Sequence, residues 1–193
     1  MGVGMISFCL VVDSSGLSDP RLYIPWRQGH LRKTRLNRRK DCIVNELVEG
    51  AIAPKLDLPR DGGGNVSLAE LAGKKVVLYF YPKDDTSGCT TEALDFTALS
   101  GEFAKAGAVV VGVSPDPVKA HDKFIAKHSL GVILASDEDK TVLEAYGVWK
   151  EKSMYGRLYM GVERSTFLID AGGKIARIWP KVKVKGHAQD VLE

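Results

Sequence analysis

The chain has 193 residues, 45% hydrophobic and 26% charged, enough for one globular domain with a sizeable core and an extension besides. Its net charge of +3 is unevenly placed: residues 21–40 hold eight Lys/Arg and no acid, whereas residues 41–193 carry nineteen basic and twenty-two acidic side chains. A mildly acidic body argues against a general affinity for nucleic acid, and no apolar run approaches the ~20 residues of a membrane span.

Residues 1–44 differ in texture from the rest. The apolar stretch Met5–Val12 has no positive charge before it, as a signal peptide would, and Ile6 breaks the myristoylation pattern. Two readings of this segment stand side by side: a solvated, poorly ordered basic extension, or a gene-boundary artefact with translation starting near Val44. The folded domain is expected over 45–193.

From Asn45 the chain alternates between turn punctuation and buried runs. Ala53-Pro54 and Arg60-Asp61-Gly62-Gly63-Gly64 flank a short extended segment. Lys75–Tyr81 (KVVLYFY) is a β-branched and aromatic run suited to a strand buried on both faces, and Pro82 ends it. Thr90–Lys105 carries Ala93, Leu94, Phe96, Leu99 and Phe103 in a helical stripe. Ala108–Val113 predicts a second buried strand, Pro117–His128 a helix, Val132–Leu134 a strand and Thr141–Tyr146 a short helix. Ser165–Ile169 and Lys174–Trp179, joined by Asp-Ala-Gly-Gly, predict a β-hairpin. A last helix begins at His187. This order implies an α/β fold, a central mixed sheet with helices on both faces.

The three cysteines, Cys9, Cys42 and Cys89, are odd in number, widely spaced and without a Cys-x-x-Cys. That pattern argues against a secreted disulfide framework or a cysteine-rich zinc site, and points to a reducing compartment, the cytoplasm. His30, His121, His128 and His187 show no metal-ligand spacing and read as surface or boundary residues. No metal or cofactor is expected.

Cys89 stands apart by its surroundings. A buried strand ends at Tyr81, a polar turn follows, and Cys89 falls in the first turn of a helix, where unpaired N–H groups and the helix dipole favour a thiolate. Thr86 can place a hydroxyl beside the sulfur, either accepting from a thiol or donating to a peroxide oxygen. Pro82 fixes the backbone where the turn leaves the strand. From position alone, a buried inert cysteine remains the competing reading.

The pattern Pro82-x-x-x-Thr86-x-x-Cys89, within Phe-Tyr-Pro-Lys-Asp-Asp-Thr-Ser-Gly-Cys-Thr-Thr-Glu-Ala, resembles the signature of the peroxiredoxins. The longer stretch looks like their Q-type, or bacterioferritin-comigratory, subgroup. Gly-Val-Ser-Pro-Asp (112–116), Leu-Ala-Ser-Asp-Glu-Asp (134–139), Tyr-Gly-Val-Trp-Lys-Glu-Lys-Ser-Met-Tyr-Gly (146–156) and Arg-Ser-Thr-Phe-Leu-Ile-Asp (164–170) extend the resemblance over the chain from about Asn45. It implies a thioredoxin-like fold and reduction of hydrogen peroxide or organic hydroperoxides, with Cys89 passing through a sulfenic acid. Arg164 matches the family's active-site arginine; locally it reads as a surface residue beside a strand. Ser87 stands where the subgroup usually has proline. Glu92 falls at a position often shared, for which a helix-end charge is the plain account.

One departure bears on mechanism. Leu94 occupies the position where many members of the subgroup carry a second, resolving cysteine, and the following helix has none either. Cys9 and Cys42 lie outside the matched region, and a disulfide from there would need the segment to dock with exact geometry. The resemblance therefore implies a one-cysteine peroxidase, a monomer, reduced by thioredoxin, glutaredoxin or a low-molecular-weight thiol. A peroxide sensor or relay protein using the same cysteine is the alternative. A disulfide oxidoreductase fits less well without Cys-x-x-Cys.

Overall fold

The computed structural model describes residues 47–154 and 156–193. The extension expected over 1–44, with Cys9 and Cys42, lies outside the described residues. A short hairpin opens the domain, β1 (Asp57–Pro59) against β2 (Asn65–Ser67). Its turn runs through Gly62, Gly63 and Gly64, all at positive φ, which side chains resist.

Five strands form the central sheet: β3 (Lys75–Phe80), β4 (Ala108–Ser114), β5 (Ile133–Ser136), β8 (Ser165–Ile169) and β9 (Ile175–Trp179), in the order β5-β4-β3-β8-β9. The first three are parallel, and β8 runs antiparallel to both β3 and β9. The mixed sheet agrees with the expected fold class. β3 lies at its centre because both of its faces are apolar. Val76, Leu78 and Phe80 enter one core; Val77, Tyr79 and Tyr81 enter the other.

Helices cover both faces. α1 (Ser87–Ala98), α2 (Ser100–Lys105), α3 (Val118–His128) and α5 (His187–Leu192) pack Phe96, Phe103, Phe124 and Val191 into the core shared with Tyr79. α4 (Thr141–Ala145) sets Val142 and Leu143 against the opposite face. The helix expected over 90–105 starts earlier and is broken at Leu99. Thr97 accounts for the break: its hydroxyl donates back to the Ala93 carbonyl at 2.7 Å and accepts from the Gly131 amide at 3.0 Å. Such back-bonding bends a helix. The strand expected at 132–134 runs over 133–136 instead.

A second hairpin, β6 (Trp149–Met154) with β7 (Arg157–Val162), has no counterpart among the expected elements. Its first strand reads Trp-Lys-Glu-Lys-Ser-Met, too polar to show the alternation that marks a half-buried strand.

Tyr79 and Gly112 are partners across β3 and β4, and the tyrosine ring lies in the space that a side chain at 112 would fill. It stacks on Phe96 of α1 with ring centroids 4.9 Å apart, so this packing also sets the height of α1 above the sheet. A Cβ at position 112 would stand 2.5 Å from Tyr79 Cζ and 2.9 Å from Leu134 Cδ2. Gly112→Ala should therefore cost about 1–3 kcal/mol through overpacking. Thermal unfolding of the variant checks this; an unchanged midpoint would mean that the ring moves aside freely.

Candidate active site

β3 delivers the chain to the carboxyl end of the parallel strands, where open α/β sheets place their ligand sites. The Tyr81 amide still bonds the Val113 carbonyl at 3.1 Å. Exposed Pro82 then begins a turn that ends at Thr86, the residue before α1. Thr86 has extended backbone angles, φ −89° and ψ 149°, as an N-cap should. Its side chain caps nothing in α1: Oγ1 donates to the Lys83 carbonyl at 3.1 Å and so closes the turn on itself. The hydroxyl keeps its lone pairs for a partner on the other side.

Cys89 is the third residue of α1 and only 1% exposed. First-turn amides of a helix have no intrahelical acceptor, and their dipoles favour negative charge nearby. The strongest neighbour comes from far away in sequence. Phe80 and Ser165 are partners in the β3–β8 ladder, which brings Arg164, just before β8, to the end of β3. Its carbonyl accepts from the Val182 amide at 2.9 Å, which steadies the backbone there. From this point Arg164 Nη2 donates to Cys89 Sγ at 3.1 Å, and Nη1 donates to Glu92 Oε2.

Glu92 is the residue that sequence reasoning undervalued. It lies three positions after Cys89, on the same face of α1, and is 1% exposed rather than a solvated helix-end charge. Its signals in the sequence were that i, i+3 spacing and its place at a position often shared in the family the chain resembles. Burial pushes its carboxyl up to about 7 against the opposing pull of Arg164. Oε1 has no hydrogen-bond partner among the described residues and is the oxygen available to hold a proton. For Arg164, burial works against the charge, but Glu92 and Cys89 outweigh it and hold the guanidinium above its ordinary range. Burial first, then Glu92, Asp84 and Cys89, raise the Tyr79 phenol well above its usual range, so this floor of the site is neutral.

The four residues expected at the site thus divide. Cys89 and Arg164 touch; Thr86 closes the turn between them and the sheet; Pro82 only opens it. An open groove of about 620 Å³ runs along the outer flank of the first turn, past Gly88, Thr91 and Lys185. Among the described residues no cluster of three or more His, Cys, Asp or Glu could hold a metal ion.

Two histidines depart from the surface reading. His187 is buried, bonded through Nε2 to the Thr166 hydroxyl at 2.8 Å, and burial lowers its pKa. His121 is 0% exposed, 2.7 Å from Asp84 of the turn. Both sit on helices whose apolar face turns toward the sheet. A lone polar residue on such a face gives no sign of whether it finds a partner inside.

Residues 50–178 match the AhpC/TSA family model. The chain is 50% identical to the peroxiredoxin Bcp of Bacillus subtilis over 144 residues, 75% of this chain and 92% of that protein. Among solved structures it is similar to the bacterioferritin comigratory protein of Xanthomonas campestris, studied for alkyl peroxide reduction. That match has 52% identity and TM-score 0.68, covering 71% of this chain and 87% of the other. The peroxidoxin BcpB of Mycobacterium tuberculosis is 35% identical with TM-score 0.67, covering 76% and 94%.

Glu92 makes stability depend on pH with a definite sign. Unfolded, the carboxyl loses its proton near 4.5; folded, it keeps it to about 7. Between those values the unfolded chain binds fewer protons, so this group removes stability as pH rises, by up to about 3 kcal/mol. Glu92→Gln has no proton to lose and should gain on wild type progressively from pH 4.5 to 8. Urea unfolding of both proteins across that range measures the difference; a constant offset would mean that Glu92 ionises normally.

Proposed function

Since this chain belongs to the AhpC/TSA family and is a peroxiredoxin, a thiol-dependent peroxidase, we propose that Cys89 is its peroxide-reacting thiol. The observation that carries this reading is the Arg164 Nη2 contact to Cys89 Sγ at 3.1 Å, inside the first turn of α1. A guanidinium aimed at the sulfur places fixed positive charge and an N–H donor beside it, and thiolate is the nucleophilic form of cysteine.

The thiolate attacks one oxygen of the peroxide; the O–O bond breaks and the second oxygen leaves as hydroxide or alkoxide, taking a proton to become water or an alcohol. Cys89 becomes a sulfenic acid. Charge moves from sulfur to the leaving oxygen, and Arg164 has a second N–H direction with which to follow it. Glu92 keeps the guanidinium from swinging away, because Oε2 accepts from Nη1 whether or not the acid holds a proton. The Thr86 hydroxyl offers lone pairs to a protonated peroxide oxygen.

Regeneration comes from outside the chain. Leu94 stands 41% exposed at the subgroup's resolving position, and an alkyl side chain cannot attack a sulfenic acid. An external thiol therefore displaces water from Cys89, giving a mixed disulfide that a second thiol cleaves. Thioredoxin, glutaredoxin or a small thiol in the cytoplasm fits this need, with the enzyme a monomer acting on hydrogen peroxide or organic hydroperoxides. Residues 45–193 make up the catalytic domain and 1–44 an extension to it.

Cys89→Ser should abolish turnover with the fold retained, because a hydroxyl is scarcely ionised near neutral pH. In intact-mass measurement the wild type should gain one oxygen with stoichiometric peroxide, and the variant none. A steady-state assay with each reductant in turn tests the catalytic reading: one reaction followed by arrest with every thiol would favour a sensor.

Arg164→Lys keeps the charge but loses the planar fork that reaches Cys89 and Glu92 together. The rate of sulfenic acid formation should fall by roughly 10²-fold. A wild-type rate in rapid mixing would remove Arg164 from the reaction.

A further inference from the structure

The turn that carries Pro82 and Thr86 belongs to neither strand nor helix, so side chains must hold it. Two adjacent carboxylates do so, and both reach α3. Asp84 Oδ2 lies 2.7 Å from His121 Nδ1, and Asp84 Oδ1 accepts from the Tyr81 hydroxyl at 2.7 Å. The Asp84 amide donates to Asp116 Oδ2 at 2.7 Å. Asp85, held at φ 56° in the left-handed region, accepts from Lys127 and lies 2.8 Å from His128 Nε2. His121 and His128 are seven residues apart, two helical turns, and so share one face of α3.

The grip at His121 is costly to keep. The side chain is 0% exposed, and Nε2 has no hydrogen-bond partner among the described residues. A buried polar atom left unpaired costs stability, and an apolar side chain would fill the same space beside Phe124 without that cost. A carboxylate only accepts, so Nδ1 carries the proton and donates it to Asp84. The single productive bond of this imidazole is thus spent on the turn, two residues before Thr86 and five before Cys89.

We propose that His121 is a positioning residue for the peroxidase reaction: through Asp84 it locks the Pro82–Thr86 turn onto α3, and so fixes Thr86 and the first turn of α1 against Arg164. This inference rests on Cys89 being the reacting thiol. Cys89 hangs between two supports. β8 brings the guanidinium from one side, and α3 holds the turn from the other. If the α3 side loosens, sulfur and guanidinium lose their alignment although every group that touches peroxide is still present.

The test compares two rates at Cys89, sulfenic acid formation with hydrogen peroxide and alkylation by iodoacetamide, alongside the melting temperature. Peroxide reduction needs the aligned site, whereas alkylation, read at about pH 10 where even an ordinary cysteine is ionised, needs only an accessible sulfur. His121→Phe keeps a ring of similar size and removes the donor. Its peroxide rate should fall at least ~10-fold, as expected for a small misplacement of reacting groups, while alkylation rises because the sulfur becomes more exposed. His121→Asn places an amide N–H near the former Nδ1 and should restore both rates toward wild type. Tyr81→Phe, which removes only the other side-chain donor to Asp84, should move both rates in the same directions by less, and serves if His121→Phe fails to fold. Wild-type rates in His121→Phe, or a fall in both rates that Asn does not rescue, would overturn the proposal. Wild type that alkylates at Cys89 but does not react there with peroxide would instead overturn the assignment of the thiol, while the alkylation rates still report on the lock.

Discussion

A single guanidinium between a sulfur and a buried carboxylate is the contact on which the site depends. Arg164 reaches Cys89 across 75 positions of sequence and Glu92 across 72. Neither bond can form unless β8 pairs with β3 in the observed register, Phe80 opposite Ser165. A slip of one residue would turn Arg164 to the other face of the sheet. The register is itself protected by burial, since β3 faces a core on both sides and β8 contributes Phe167 and Ile169 to one of them. The chemistry at the strand end therefore inherits its precision from hydrophobic packing beneath it.

That precision has a cost in unpaired polar atoms. Tyr79 Oη, Glu92 Oε1 and His121 Nε2 are buried without hydrogen-bond partners among the described residues, and all three belong to side chains that border the site or its supporting turn. Groups of this kind are usually satisfied in a folded protein. Their concentration here is consistent with an interior shaped to hold one positive charge close to one sulfur. On the opposite face of the sheet, Phe80, Tyr146 and Phe167 are in mutual ring contact, and among the described residues no other buried side-chain N or O atom lacks a partner.

α1 is tied into this arrangement from below and from the side. From below, Phe96 stacks on Tyr79, whose ring depends on the absence of a side chain at Gly112. From the side, the turn before α1 is bonded to α3 through Asp84 and Asp85. Helix, sheet and turn thus converge on the first turn of α1, and Cys89 is its most buried point.

Much of the fold was legible because it depends on near neighbours. The run at 75–81 is suited to a doubly buried strand, Asp-Ala-Gly-Gly signals a hairpin between two strands, and the apolar stripe that begins just after Cys89 marks a helix start there. The β6–β7 hairpin was not legible, because its polar strand lacks the alternation that burial imposes, and the break at Leu99 depends on Thr97 bonding to Gly131 from another element. Arg164 came from the family resemblance; its own neighbourhood reads as any arginine beside a strand. The sequence by itself determined that Cys89 falls in the first turn of a helix after a buried strand, since helix starts and buried strands are written in windows of a few residues. Only the tertiary structure decided that Arg164 meets Cys89, that Glu92 is buried rather than solvated, and that His121 faces Asp84. Those contacts follow from strand register and from the placement of α1 and α3 on the sheet, which are set by packing among residues far apart in the chain.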